Sequence, residues 1–591
     1  MLFKVFLGLV LIGGSYQTRF YNTYQCIEGR CERSSIPVNT IEVLDLKAKG
    51  QHTTLAACRL VCDSNAAIWP LPTGLTQLNN DYLGVHPDQF EFDLKDLPET
   101  IVPFVSTTTD SFMKNIRQLC GENCTRTEIF VYIHIIVKST NLDLNWDTKE
   151  DYSLALTTRD REVRVHIAST TVFGARHALE TLSQLTAPIV TSETSFGLVM
   201  LDSAAIKDSP VFPHRGLLID TARNYLPVDD ILRTINGLAS VKMNVLHWHA
   251  TDSQSFPLEI RREPNMTRYG SYSPDQIYTV DDMRRIVFYG KSQGVRVLLE
   301  LDSPSHAGAG WEWGEESDLG KLAVCVSQQP WRDYCIQPPC GQLNPVNENT
   351  YVVLGEIYAE VLSIWGREAV LHLGGDEVFF NCWNSSSEIV EKMTEDGMGR
   401  KTEDFLKLWA QFHTRQLNQL DKVRGILNVK VILWSSYLTS PEFIESYLDK
   451  NRYVIQTWVE SDSPIPSQLL NLGYKLIMST KNTWYLDHGF WGRTKYHTWR
   501  DAYNNKIPTS NLVLGGEACM WGEYLNGGSL DSRVWPRTAA VAERLWSNPA
   551  NINTEEVEPR LQAQGERLES RMIFPEAIAP EWCSQHERQC S

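Results

Sequence analysis

A (β/α)8 TIM barrel preceded by a smaller α+β domain is the fold that this sequence predicts, and three observations carry the prediction. From residue 213 onward, short apolar runs alternate with helical stretches, and eight such runs can be counted. Each run ends in residues too polar or too aromatic to be simple strand caps. The region before it is rich in β-branched and aromatic runs and carries a single strong helical pattern. Strands alternating with helices indicate a parallel sheet, and eight units close it into a barrel whose site lies at the C-terminal ends of the strands. An open doubly wound sheet is the alternative, but it places a glycine-rich phosphate loop after its first strand. Here "PSHAGAGWEWG" follows the third run and contains tryptophans, which suits a loop over the mouth.

In order, the runs are "GLLIDTAR" from 216, "NVLHWHATD" from 244, "VRVLLELDSPSH" from 295, "VLHLGGDE" from 370, "VILWSS" from 431, "VIQTWVE" from 454, "YKLIMSTKNTWYLD" from 474 and "LVLGGEACMWGE" from 512. They define a catalytic barrel over 213–547. Upstream, "IWPLPTG" at 68–74 opens the α+β domain, its prolines forcing extended backbone. "IFVYIHIIVKS", "YSLALTT" and "EVRVHIAST" read as strands. In "FGARHALETLSQL", Ala175, Ala178, Leu179, Leu182 and Leu185 recur at helical spacing and predict an amphipathic helix against that sheet. This domain spans 64–212 and offers no evident chemistry. Residues 16–63 form a cysteine-rich segment, and 548–591 a C-terminal helix with a disulfide-bonded tail.

The 591 residues, 42% of them hydrophobic, are ample for a large core. A formal charge of −17 repels phosphate backbones and anionic lipid, so nucleic acid is not expected as a partner. The N-terminal "MLFKVFLGLVLIGGS", residues 1–15, places one cation before an apolar run ending in small residues, as a secretory leader does. That run is shorter than the roughly 20 apolar residues of a bilayer span, and no later segment reaches that length, so no membrane anchor is expected.

The 13 cysteines fall into close groups: Cys26 with Cys31, Cys58 with Cys62, Cys120 with Cys124, Cys335 with Cys340, and Cys583 with Cys590, leaving Cys325, Cys382 and Cys519. Such spacing suits disulfides of an oxidising compartment, with connectivity left open. Zinc would need a second half-site with ligand spacing, and none is nearby. The odd total leaves a thiol unpaired within the chain; Cys519, inside an apolar strand pattern, is the expected one. Sequons at Asn123, Asn265 and Asn384 agree with glycosylation in the secretory route.

If the run ends converge, the mouth gathers Arg215, His247, His249, Asp252, Asp302, His306, Asp376, Glu377, Trp434, Trp458, Tyr485, Asp487, Trp521 and Glu523. Carboxylates beside indoles suit a sugar, whose C–H faces stack on aromatic rings and whose hydroxyls need polar partners. A metal held by His247, His249, Asp252 and Asp302 is the competing reading. Both imidazoles of "HWH" point to one face, where they can equally orient neighbouring carboxylates; no metal is expected. Asp376 and Glu377 follow Gly374 and Gly375. A helix start explains one acid more easily than two. A catalytic pair explains both, since a neighbouring like charge raises one carboxyl pKa and keeps that group protonated.

The motifs "HRGLLIDTARNYLP", "NVLHWHATDSQSFPLE", "LHLGGDEV", "GGEACMWGEY" and "WPRTAAVAERLWS" resemble those of the family 20 glycoside hydrolases, the β-N-acetylhexosaminidases of animals, over the chain from Trp69 to Trp546. The resemblance implies exo-acting, retaining hydrolysis assisted by the substrate's own acetamido group, an exception to the two-carboxylate scheme. By that resemblance Glu377 is general acid and then base, Asp376 orients the acetamide, and Tyr485 hydrogen-bonds its oxygen. Trp434, Trp458 and Trp521 wall the acetamide methyl; Arg215 and Glu523 hold sugar hydroxyls, with Asp487 nearby. His306, His247 and Asp252 support the acids from behind. The family often has Asp-Asp where this chain has Asp252-Ser253, leaving open which position supplies the supporting carboxylate. An aspartate at 487 is expected to disfavour sulfated sugars. Trp331, Trp491 and Trp499 either extend the sugar surface or pack the rim. The resemblance also implies no cofactor, an oligosaccharide or glycoconjugate substrate, a homodimer, and secretion or lysosomal delivery. A catalytically silent sugar-binding protein on the same barrel is the alternative.

Overall fold

The computed structural model describes residues 22–34, 53–62, 65–121, 124–190, 196–487, 490–491, 495–550 and 553–590. The leader expected over 1–15 and the sequon asparagine Asn123 lie outside the described residues.

In the N-terminal region a six-stranded sheet runs in the order Thr76–Leu78, Ser203–Asp208, Tyr152–Arg159, Glu162–Ser169, Phe130–Val137 and Phe90–Asp93. Strands such as Phe130–Val137 alternate exposed and buried positions, as a sheet wet on one face must. Helices Val102–Cys120 and Val172–Gln184 cover the other face. The second was expected to be amphipathic, yet all thirteen of its residues are buried. Its polar side chains are covered too: Arg176 and Arg571 both meet Glu180, at 3.3 and 2.6 Å, and His177 meets Glu150 at 3.0 Å. A helical period locates an apolar stripe, but not a second partner that covers the polar one.

The eight apolar runs form a closed parallel barrel, with strands β1 (His214–Asp220), β2 (Val245–Thr251), β3 (Arg296–Leu301), β4 (Leu371–His372), β5 (Val431–Trp434), β6 (Tyr453–Thr457), β7 (Lys475–Met478) and β8 (Val513–Met520). Outward residues such as Leu217, Leu246, Trp248, Leu299 and Leu433 join the main core beneath the helices. Inward residues stack in layers. The lowest is apolar, of Val245, Leu298, Ile432, Val454, Ile477 and Leu514, closed from below by Trp146. Above it, His247, Glu300, His372, Gln456 and Glu517 form a buried polar layer. Leu218, Trp434 and Cys519 lie above that and pack against Trp458, Tyr485 and Trp521.

Six disulfides are present. Cys120–Cys124, Cys335–Cys340 and Cys583–Cys590 join sequence neighbours, and Cys325–Cys382 joins two of the cysteines left over. The first four cysteines pair across their sequence groups, as Cys26–Cys62 and Cys31–Cys58. Cys26 and Cys31 are register partners in a hairpin, and Cys58 and Cys62 lie one turn apart on helix Leu55–Cys62. Two parallel bonds therefore tie hairpin to helix. Cys519 is free and buried. No helix among the described residues is long and apolar enough to cross a membrane.

Candidate active site

The chain after β4 makes a tight turn that presents both acids. Gly374 and Gly375 have φ of 65° and 88°, a region in which a Cβ is strained. There is no room for one either: at Gly374 it would lie 1.7 Å from Asp302 Oδ1, and at Gly375 2.9 Å from Leu433 Cδ2. Glu377 (φ 50°) and His306 (φ 55°) are also left-handed without being glycine. Such strain costs about 1–3 kcal/mol per residue and collects at functional sites.

The acids have different surroundings. Asp376 has one carboxylate oxygen, Oδ1, buried without a hydrogen-bond partner among the described residues. Burial pushes its carboxyl up to about 7; His306 opposes the shift, and Glu377 adds to it. Asp302, whose Oδ1 accepts from the Gly375 N–H at 3.1 Å, is also pushed well up, by burial and then by Asp376. Glu377 is partly exposed, and its Oε2 lies 3.3 Å from His306 Nε2. His306 Nδ1 in turn lies 3.3 Å from Asp252 Oδ1, so Asp252, the first position of the Asp-Ser pair, reaches the supporting histidine. Ser253 uses its backbone N–H to donate to Asp252 Oδ1 at 2.5 Å.

Beside the acids is an aromatic box. Trp434 and Trp521 rings lie 5.9 Å apart, and Tyr485 lies 6.3 Å from Trp521. Trp458 joins the same cluster, its indole N–H donating to the Ser435 carbonyl at 2.6 Å. Tyr485 pairs by a β-bridge with Cys519 of β8, which fixes its position at the mouth. Glu523 Oε2 is buried without a partner among the described residues, and burial pushes this carboxyl up while Arg223 opposes the shift. Asp487 is partly buried in the same region, with Tyr485 and Arg537 in its electrostatic surroundings.

The profile "Glycosyl hydrolase family 20, catalytic domain" matches residues 212–549, and "beta-acetyl hexosaminidase like" matches 68–185. The chain belongs to glycosyl hydrolase family 20. It is 36% identical over 585 residues to the chitooligosaccharidolytic beta-N-acetylglucosaminidase of Bombyx mori, covering 96% of this chain and 95% of that one. It is 32% identical to human beta-hexosaminidase subunit beta, covering 88% of this chain and 90% of the relative. Among solved structures, a chitobiase of Flavobacterium johnsoniae superposes with a TM-score of 0.68 at 25% identity, over 86% of this chain and 73% of its own.

One expectation for this family 20 hydrolase is corrected by its structure. Arg215 was expected to hold sugar hydroxyls, but it stands near the start of β1, at the barrel floor. It is fully buried, donating to Glu150 Oε1 and Oε2 at 2.7 and 2.9 Å and to the carbonyls of Phe212 and Lys242. The arginine at the mouth is Arg223, just past the end of β1. It lies 2.7 Å from Asp252 and 3.2 Å from Asp220, with its guanidinium 5.0 Å from the Trp521 ring centroid. Strand direction was the signal: in "HRGLLIDTAR", Arg215 precedes the apolar run and Arg223 follows it, and a parallel barrel gathers its site at strand ends.

His247 is deeper than expected, between Glu300 at 2.9 Å and Glu517 at 2.7 Å. His249 has Glu300 at 2.7 Å and Asp252 at 3.1 Å. Donor atoms of His249, Glu300 and Asp302 also lie within 4.8 Å of one another, close enough for one cation, but both His249 nitrogens already face carboxylates. Of the further tryptophans, Trp499 is core. Trp331 and Trp491 meet edge to face at 5.8 Å, and Phe490 extends that row to Tyr524. Asn265 opens helix Asn265–Gly270, and Asn384 accepts a hydrogen bond from Arg400 at 2.6 Å; both are partly exposed.

Proposed function

We propose that this pocket removes a terminal, non-reducing β-linked N-acetylglucosamine or N-acetylgalactosamine from chito-oligosaccharides or glycans, with retention and with assistance from the sugar's acetamido group. The observation that carries the reading is the pairing of a buried Asp376 oxygen, without a partner among the described residues, with a Glu377 held by His306, beside a box of three indoles and one phenol. In this reading the acetamido oxygen attacks C1 while Glu377 donates its proton to the departing oxygen. Asp376 accepts from the acetamide N–H and stabilises the positive charge that develops on the ring so formed. Tyr485 donates to the acetamide oxygen, and such groups act where charge appears in the transition state. Water then adds at C1, and Glu377 takes its proton. Trp434, Trp458 and Trp521 enclose the methyl group, while Arg223, Glu523 and Asp487 hold ring hydroxyls.

The names of the insect and human relatives support the sugar class. Six disulfides support an oxidising compartment, secreted or lysosomal. A homodimer rests on the family resemblance, and light scattering in solution checks it. The chemistry is tested by hydrolysis of an aryl N-acetylglucosaminide and an aryl glucoside, by wild type and Glu377→Gln, with and without a thiazoline that mimics the ring formed when the acetamido oxygen attacks C1. Cleavage of the acetamido sugar alone, lost in the variant and blocked by the thiazoline, is the expected result. A folded wild type that cleaves neither sugar would favour the sugar-binding alternative.

A further inference from the structure

The two carboxylates of the barrel's polar layer, Glu300 and Glu517, have no part in the chemistry just proposed, and neither reaches the pocket. Both are fully buried. Both belong to a continuous file of ionisable side chains that climbs the barrel interior. From the floor, His214 Nε2 meets Glu517 Oε1 at 2.6 Å, and Glu517 Oε2 meets His247 Nδ1 at 2.7 Å. His247 Nε2 lies 2.9 Å from Glu300 Oε2, which also meets His249 Nδ1 at 2.7 Å. His249 Nε2 lies 3.1 Å from Asp252 Oδ2, and Asp252 Oδ1 leads through His306 to Glu377.

Glu300 is the junction of this file. Its second oxygen, Oε1, accepts the Trp434 indole N–H at 2.6 Å and lies 3.3 Å from His372 Nδ1. The Gly374 N–H donates to that same His372 nitrogen at 3.0 Å, so one carboxylate touches both the aromatic box and the residue that begins the turn carrying the acids. A hydrophobic side chain would fill this space at lower cost, because a buried charge is stable only when well paired.

We propose that Glu300 is a positioning residue for the general acid: with His249 it fixes the orientation and charge of Asp252, and so of the His306 imidazole against Glu377. This inference rests on the function proposed above. Flanked by two carboxylates, His249 is held as an imidazolium, and its positive charge tempers the pull of Asp252 on His306. With Glu300 neutral, His249 loses its proton, Asp252 draws His306 more strongly into the charged form, and Glu377 gives up its proton at lower pH. The charged and titratable groups facing this pair are Asp220 at the end of β1 and Arg223 beyond it, His247 and Asp252 of the β2 segment, Asp302 and His306 beyond β3, His372 and Asp376 of the β4 segment, and Glu517 and Cys519 of β8. Burial works against the imidazolium, as does Arg223, whose Nη1 lies 3.2 Å from His249 Nε2, and the two carboxylates outweigh them.

The test is Glu300→Gln, with His249→Gln as the second variant should the first fail to fold. The first readout needs no activity: nitrogen-15 spectra of histidine-labelled protein, with His249 and His306 signals assigned from their own Gln variants. Expected is a wild-type His249 that stays an imidazolium through neutral pH, and a His306 midpoint raised by about half a pH unit or more in Glu300→Gln and in His249→Gln. The second readout is the pH profile of kcat/KM. Its alkaline limb is expected to move down in either variant, with kcat lowered about 10- to 100-fold, by analogy with the carboxylates that orient metal-bound histidines, and no further shift in the double variant. A neutral His249 in the wild type, an unmoved His306, or a loss equal at all pH values would overturn the proposal. Failure of the wild type to cleave any N-acetylhexosaminide would instead sink the functional reading, and the nuclear resonance result would stand apart from it.

Discussion

Asp302 occupies the space that a side chain at Gly374 would need: a Cβ there would lie 1.7 Å from Asp302 Oδ1. The acid and the missing side chain are one design, since Asp302 also accepts the Gly375 N–H and so holds the turn that carries Asp376 and Glu377. Gly374→Ala is expected to lose at least about 100-fold in kcat/KM, because the turn must move to admit the methyl group, and small displacements of reacting groups carry penalties of that size. The strained φ adds about 1–3 kcal/mol of destabilisation. Steady-state kinetics with a melting curve checks both; near-normal activity would show that the turn is not fixed by this contact.

Asp376 makes stability depend on pH in a definite direction. Unfolded, its carboxyl releases a proton near 3.8; folded, it holds that proton to about 7. Within that window the folded protein binds a proton that the unfolded chain has released, so this group's contribution to stability falls as pH rises. Asp376→Asn is therefore expected to melt above wild type at pH 7.5, with the gap closing as pH falls toward about 4, while hydrolysis is lost. Equal melting temperatures across that range would contradict the buried, raised carboxyl.

The two arginines of the first strand segment separate stability from activity. Arg215→Ala leaves Glu150 buried without its guanidinium, and breaking such a pair costs about 3–5 kcal/mol. Glu150 is held down to about 2; burial alone would raise it, and Arg215 and His177 overcome that. Its contribution is complete above the ordinary value of 4.5 and fades as pH falls toward 2. The melting penalty of Arg215→Ala is expected to be large at pH 6 and to shrink in acid, with KM little changed. Arg223→Ala is expected to lower kcat/KM by about 10- to 100-fold, as loss of a charged hydrogen bond would. The reverse pattern would return Arg215 to the sugar.

Cysteine chemistry gives an independent check of the fold. With six disulfides closed and Cys519 buried, an aromatic disulfide reagent is expected to find no thiol in the native protein and one after denaturation. Burial pushes that thiol well above its usual range, which further slows reaction. Peptide mapping is expected to recover Cys26 with Cys62 and Cys31 with Cys58, and no Cys26–Cys31 link.

The amino-acid sequence by itself determined the eight strands, because each is a short apolar run and its period and spacing are local properties. It also determined the acid pair and its two glycines, since a turn too tight for a Cβ is written as glycine. Tertiary structure alone decided which charged residues face a ligand and which face the protein. Arg215 and Arg223 are eight positions apart on one segment and look alike in sequence, yet they lie at opposite ends of a strand, one against Glu150 of another domain and one against Asp252. Likewise Glu300 and Glu517 lie within apolar runs, and nothing local tells that closure of the barrel aligns them with four histidines. Ionisable pairs form across strands far apart in sequence, so their partners, and with them their charge, are fixed only when the sheet closes.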